Sequence, residues 1–287
     1  MSSAVRSAAR HAAPWALVAT VLAGTVGSAA LGATDGAGPP SPAAWVTRLI
    51  ATTRAAGSAR VWYTSSVVST GPPARNLTSG SGVLDFADGD LRASGTQSSA
   101  WRSPGQARTG SYTLHLQERR VGGTLYVETD HVAASTGLEA TVGQWSSTRL
   151  ASTPGSLFPA VLAGPSLPVL SPYYAAVAVR AVGPATVSGV PTTEYRLTSR
   201  FDCRLRRGMA QPVQTAPTLV WVDRHGRLLE ARERSTWRFT SATTGRSTTT
   251  ISELVRLGDF GAPVRVARPV LRRRAPSSSH LVVGASC

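Results

Sequence analysis

Five histidines, two cysteines and a run of aspartates are the residues with which this chain could hold a metal or activate a nucleophile. His11 and His280 sit in the terminal stretches, which leaves His115, His131 and His225. None of the three has a second histidine, or a histidine with a carboxylate, at metal-ligand spacing. Asp85, Asp88 and Asp90 are the densest carboxylates and bring a calcium loop to mind. They lack the Asp/Asn ladder and closing Glu of such a loop, so turn chemistry explains them better. No G-x-S-x-G elbow, P-loop or S-x-x-K motif is present. Asn76-Leu77-Thr78 matches a glycosylation sequon, a short pattern that arises often by chance. The expectation is a protein without catalytic residues, metal ligands or a cofactor, and not an enzyme.

The elements that would position any site start from an unusual composition. Of 287 residues, 42% are hydrophobic and 16% charged, against roughly 25% charged in ordinary soluble domains. All 30 basic residues are arginines, and the formal net charge is +15. Such a charge raises nucleic acid as a partner. The arginines are spread along the chain, however, with no zinc-finger spacing or aromatic-and-basic RNA motif, so nucleic acid is not expected. An anionic membrane surface or wall polymer accounts for the same charge.

Residues 1–33 read as a signal peptide or signal anchor. Arg6 and Arg10 precede an apolar run over residues 15–23, and Ser28 and Ala30 form an A-x-A-like cleavage site, with Ala33 a second candidate. The uncharged stretch over residues 12–34 is long enough to span a membrane if it is not cleaved. Both readings place the bulk of the chain outside the cytoplasm. That location permits Cys203 and Cys287 to pair; the alternative is a Cys287 that stays free or pairs between molecules.

Residues 34–40 form a Gly/Pro linker. Ser41 as N-cap, Pro42 at the first helical position and an apolar spacing of Trp45, Val46, Leu49 and Ile50 predict a helix over residues 42–56, stopped by Gly57. Beyond it the period changes to that of strands. Hairpins are expected around Asp88-Gly89, around Gly122-Gly123 and around Asp223-Arg224-His225-Gly226, within a meander of about eight to eleven antiparallel strands. Residues 143–183 break the rhythm with five prolines. There, Leu157, Phe158, Val161 and Leu162 suggest a turn of helix, and Ser171-Pro172 suggests another leading into Tyr173, Tyr174 and Val177. Residues 271–287 read as a basic, Ser-rich, disordered tail.

Several turn-and-strand segments resemble the LppX/LprG-type envelope lipoproteins, which have a LolA-like half-barrel fold. They include Gly57-Ser58-Ala59-Arg60-Val61, Ser81-Gly82-Val83-Leu84-Asp85-Phe86-Ala87 and Val121-Gly122-Gly123-Thr124-Leu125-Tyr126-Val127. Further along, Val187-Ser188-Gly189-Val190-Pro191-Thr192-Thr193-Glu194-Tyr195-Arg196-Leu197, Val220-Trp221-Val222-Asp223-Arg224-His225-Gly226-Arg227-Leu228 and Leu257-Gly258-Asp259-Phe260-Gly261-Ala262-Pro263-Val264 continue the series. The resemblance implies an α+β fold over residues 41–270, a curved antiparallel sheet wrapped over an N-terminal helix and short mid-chain helices. It also implies an apolar cavity that takes a lipid or lipoglycan-type amphiphile. Trp45, Leu49, Leu84, Phe86, Leu157, Phe158, Leu162, Tyr173, Tyr174 and Ala176 are the expected cavity wall. The family's acylated cysteine is absent here. The alternative function is an envelope sensor that regulates a partner through protein contact.

Overall fold

The structure, a computed structural model, describes residues 40–70, 73–102, 109–134, 142–149, 174–201, 217–241 and 245–271. Its one helix among them is α1 (Pro42–Arg54). Ser41 caps it as the sequence predicts, its hydroxyl accepting from the Ala44 N–H at 3.2 Å. The helix ends two residues before the expected stop. Ala55 and Ala56 close a last turn onto the carbonyls of Ala51 and Thr53, and Gly57 leaves with a φ of 79°, a conformation that costs glycine little.

Eleven strands follow: β1 (Ser58–Thr70), β2 (Pro73–Asp85), β3 (Leu91–Arg102), β4 (Thr109–Val121), β5 (Thr124–Ala134) and β6 (Trp145–Arg149), then β7 (Tyr174–Val187), β8 (Val190–Phe201), β9 (Pro217–Asp223), β10 (Leu228–Ser241) and β11 (Gly245–Gly258). All pair antiparallel in one sheet of order β6-β5-β4-β3-β2-β1-β11-β10-β9-β8-β7. The sheet is curved and unclosed, the half-barrel form that the resemblance implies. Its two edge strands, β6 and β7, are consecutive in the chain, and the first and last strands, β1 and β11, pair at its middle.

The predicted turns lie where their residues require them. Gly122 and Gly123 both have positive φ, at 56° and 77°, as do Ser188 and Gly189 at 48° and 82°, the requirement of a two-residue hairpin that follows the strand twist. Asp223 accepts the N–H groups of His225 and Arg227 at 2.8 and 2.9 Å, tying the β9–β10 turn.

The mid-chain expectation needs correction. No helix begins after Pro172: Tyr174–Val187 is a strand of 14 residues. Val177, Val179 and Val182 favour an extended backbone, and β8 supplies a ladder along almost the whole length of β7. Tertiary pairing thus overrides the local cap-and-proline signal. Residues 150–173, which include the other expected helical turn, lie outside the described residues.

Directly opposed residues of an antiparallel pair share a face, so the register sorts every strand into two sides. On one side Ala59, Val61, Tyr63, Leu84, Leu91 and Leu257 are buried in one cluster with Leu49 of α1. Burying each aliphatic side chain contributes about 1.5–3 kcal/mol. Tyr63 fills a gap in this layer. Gly80 and Gly95 stand opposite one another, and the Tyr63 hydroxyl lies so close over both that a Cβ on either would crowd it. This is the helix face; the other is the open face.

Candidate functional site

The open face carries a groove of about 1070 Å³. Its floor is built by register. Thr64, Ser79, Thr96 and His115 oppose one another in a row across β1, β2, β3 and β4, and Arg256, Trp62, Ser81 and Ser94 form the neighbouring row from β11 to β3. Strands lie about 4.8 Å apart, so the hydroxyls tile the floor at that spacing. His115 Nδ1 stands 3.4 Å from the Thr96 hydroxyl. Small hydroxyl side chains alternate here with the buried Val61 and Tyr63, because a strand points successive residues to opposite sides.

The wall at the other end of the groove is apolar. Val187 and Val190 flank the β7–β8 turn, and Leu229 and Phe260 stand beside them. Val187 and Leu229 belong to a second buried cluster with Trp221, against which Phe260 packs. Leu229 is the extra residue of a bulge in the β9–β10 register.

Several charges around the groove are held in pairs. Arg227 bonds Asp223 through Nε at 2.8 Å and Nη2 at 2.7 Å and stacks over Phe260 at 4.5 Å. The Glu230 carboxylate, only 1% exposed, accepts from Arg232 at 2.6 Å and from Arg256 at 2.7 and 2.8 Å. Arg232 in turn lies over the Trp221 ring at 5.0 Å. Beneath the floor, burial and then the negative charge of Glu118 push the Tyr63 hydroxyl above its ordinary value of 10.0. Burial lowers the Arg120 guanidinium, with Asp90 opposing that shift. Among the described residues no group of three or more His, Cys, Asp or Glu could hold a metal ion. No described helix is long and apolar enough to cross a membrane.

Of the residues expected to line a cavity, those described do not line this groove. Leu49, Leu84 and Phe86 are core residues on the helix face at 4%, 1% and 9% exposure. Trp45 packs against that core and meets the Tyr195 ring at 4.9 Å. Ala176 is half-buried in β7, and Tyr174 opens the same strand. Leu157, Phe158, Leu162, Tyr173, Cys203 and Cys287 lie outside the described residues, as does the expected signal segment. The groove residues went unnoticed in sequence because isolated Ser and Thr on alternating positions read as an ordinary solvated strand face. Only Trp62, an aromatic at a polar-face position, marks the site locally.

No family model matches the chain, and no curated protein matches it. Among solved structures it is similar to a DUF1329 family protein from Desulfovibrio piger, with 11% identity and a TM-score of 0.23 over 79% of this chain and 96% of that one. The complex of Pseudomonas aeruginosa MucA and MucB gives 12% identity and a TM-score of 0.20 over 73% and 92%. A second structure of MucB with MucA gives 12% and 0.21 over 77% and 95%. These scores are too low to carry fold or function across. The LppX/LprG resemblance accordingly stands on its sequence segments alone.

Proposed function

We propose that this is a non-enzymatic protein of the extracytoplasmic space that binds a lipid or other amphiphile and carries it through the envelope. The supporting observation is the divided lining of the groove, with a hydroxyl floor of Thr64, Ser79, Ser81, Ser94 and Thr96 and an apolar wall of Val187, Val190, Leu229 and Phe260. A polar head finds donors and acceptors on the floor. An apolar chain against the wall gains about 0.8 kcal/mol for each CH₂ removed from water. The helix face supports the same placement, since Leu49, Leu84 and Phe86 there already pack against one another. The binding site is thus assigned to the open face rather than to the buried one.

Ser81 and Ser94 oppose one another on the floor, so Ser81→Trp with Ser94→Trp fills the groove while leaving the core intact. Native mass spectrometry of protein from an exporting, lipid-rich host, followed by uptake of a fluorescent fatty acid, reads the result. The wild type is expected to carry an extractable mass and the double variant to lose both mass and uptake. Undiminished uptake by the double variant, with loss in Leu162→Trp, overturns the groove assignment and returns the site to the mid-chain segment.

A further inference from the structure

We propose that the open face docks the protein onto an anionic phospholipid bilayer. The inference goes beyond amphiphile binding, because it rests on charge placement and not on the contents of the groove.

Register segregates the charges of the sheet. Among strand residues with described side chains, every arginine except Arg120 falls on the open face. The helix face instead carries Glu118, Glu233 and Glu253. The open face has acids too. Glu230 is saturated by two arginines, Asp223 is held by Arg227 and Asp130 accepts from Gln117. Asp85, Glu128 and Glu194 are outnumbered by the remaining arginines.

Two details point to an external anion. Arg180 opposes Arg196 across β7 and β8, and Arg92 opposes Arg119 across β3 and β4. Like charges directly opposite destabilise a sheet. Arg92, Arg180 and Arg196 are exposed, and among the described residues none of the three has a carboxylate within ion-pair distance. Arg92 and Arg119 extend from strands of the groove floor and Arg180 and Arg196 from β7 and β8, all on the open face, so an extended anionic surface meets both pairs.

Aromatic rings favour a bilayer over a soluble polyanion. Arg60 lies over Trp62 at 5.9 Å and Arg119 over Trp145 at 4.8 Å, both on the open face. Tryptophan beside arginine suits the head-group layer, where one side of the ring is apolar and the other wet. The groove then opens toward the membrane.

The full chain is mixed with vesicles of phosphatidylcholine and of equal parts phosphatidylcholine and phosphatidylglycerol, with no free amphiphile added. The excess of binding to the anionic vesicles is the readout, which cancels apolar insertion of the N-terminal stretch. The comparison between variants cancels the pull of Arg6 and Arg10. Wild type is expected to show a large excess that falls as salt screens it. The triple variant R92E/R180E/R196E is expected to lose at least about tenfold of that excess. R48E, on the exposed side of α1, is expected to retain it. No excess in wild type overturns the proposal, as does an equal loss in R48E. Tight binding to a soluble anionic polysaccharide without vesicle binding also overturns it. Fatty-acid uptake by the triple variant separates failure here from failure of the groove reading.

Discussion

Thr53 shows how a single buried polar side chain can join elements that are remote in sequence. It is fully buried, donates to the Leu49 carbonyl at 2.7 Å and accepts from the Leu228 N–H at 3.0 Å. Thr53→Val keeps the shape and strands that N–H, so unfolding in urea should show a loss of about 1–3 kcal/mol. Tyr63 makes the corresponding point for pH. Its proton is held more tightly in the fold than in the unfolded chain, where the ordinary value is 10.0. As pH rises past 10.0 the unfolded chain releases its proton first and therefore binds fewer, so stability falls above that pH and is unaffected below it. Tyr63→Phe should remove this tyrosine's share of the alkaline loss, seen as a smaller drop in Tm between neutral pH and pH above 10.0. Leu49 was readable from helical spacing. Thr53 was not, because its decisive partner lies 175 positions away.

At the scale of elements, legibility followed the reach of the forces involved. The N-cap of α1 and the turns at Gly122-Gly123 and Asp223 use contacts within a few residues, and each stands where its residue types demand. The strand β7 did not, because Ser171-Pro172 imitates a helix start while the ladder that decides the issue comes from β8. The same pair of strands carries a test of the opposed arginines. Arg196→Glu replaces a repulsion with an attraction to Arg180, so it should stabilise the fold by about 0.2–1 kcal/mol. Chemical denaturation measures that gain, and the same substitution weakens the proposed membrane contact. A variant that gains stability and loses vesicle binding cannot owe the loss to misfolding.

At the scale of the whole sheet, two meanders, β1 to β6 and β7 to β11, join where β1 pairs with β11, and the open face combines a hydroxyl-floored groove with most of the described strand arginines. Salt dependence of vesicle binding belongs to this scale, since it sums charges that no single hairpin brings together. The amino-acid sequence by itself determined the helix, the tight turns, the strand-rich pattern and the +15 charge carried wholly by arginine. These depend on backbone stereochemistry and on side chains a few positions apart. Tertiary structure alone decided that Thr64, Ser79, Thr96 and His115 form one row, and that Arg180 faces Arg196. Such rows require hydrogen-bond register between separate strands, and a single bulge, as between Leu228 and Glu230, resets it. Local periodicity tells which residues share a side of one strand; only the ladder tells which residues of different strands meet.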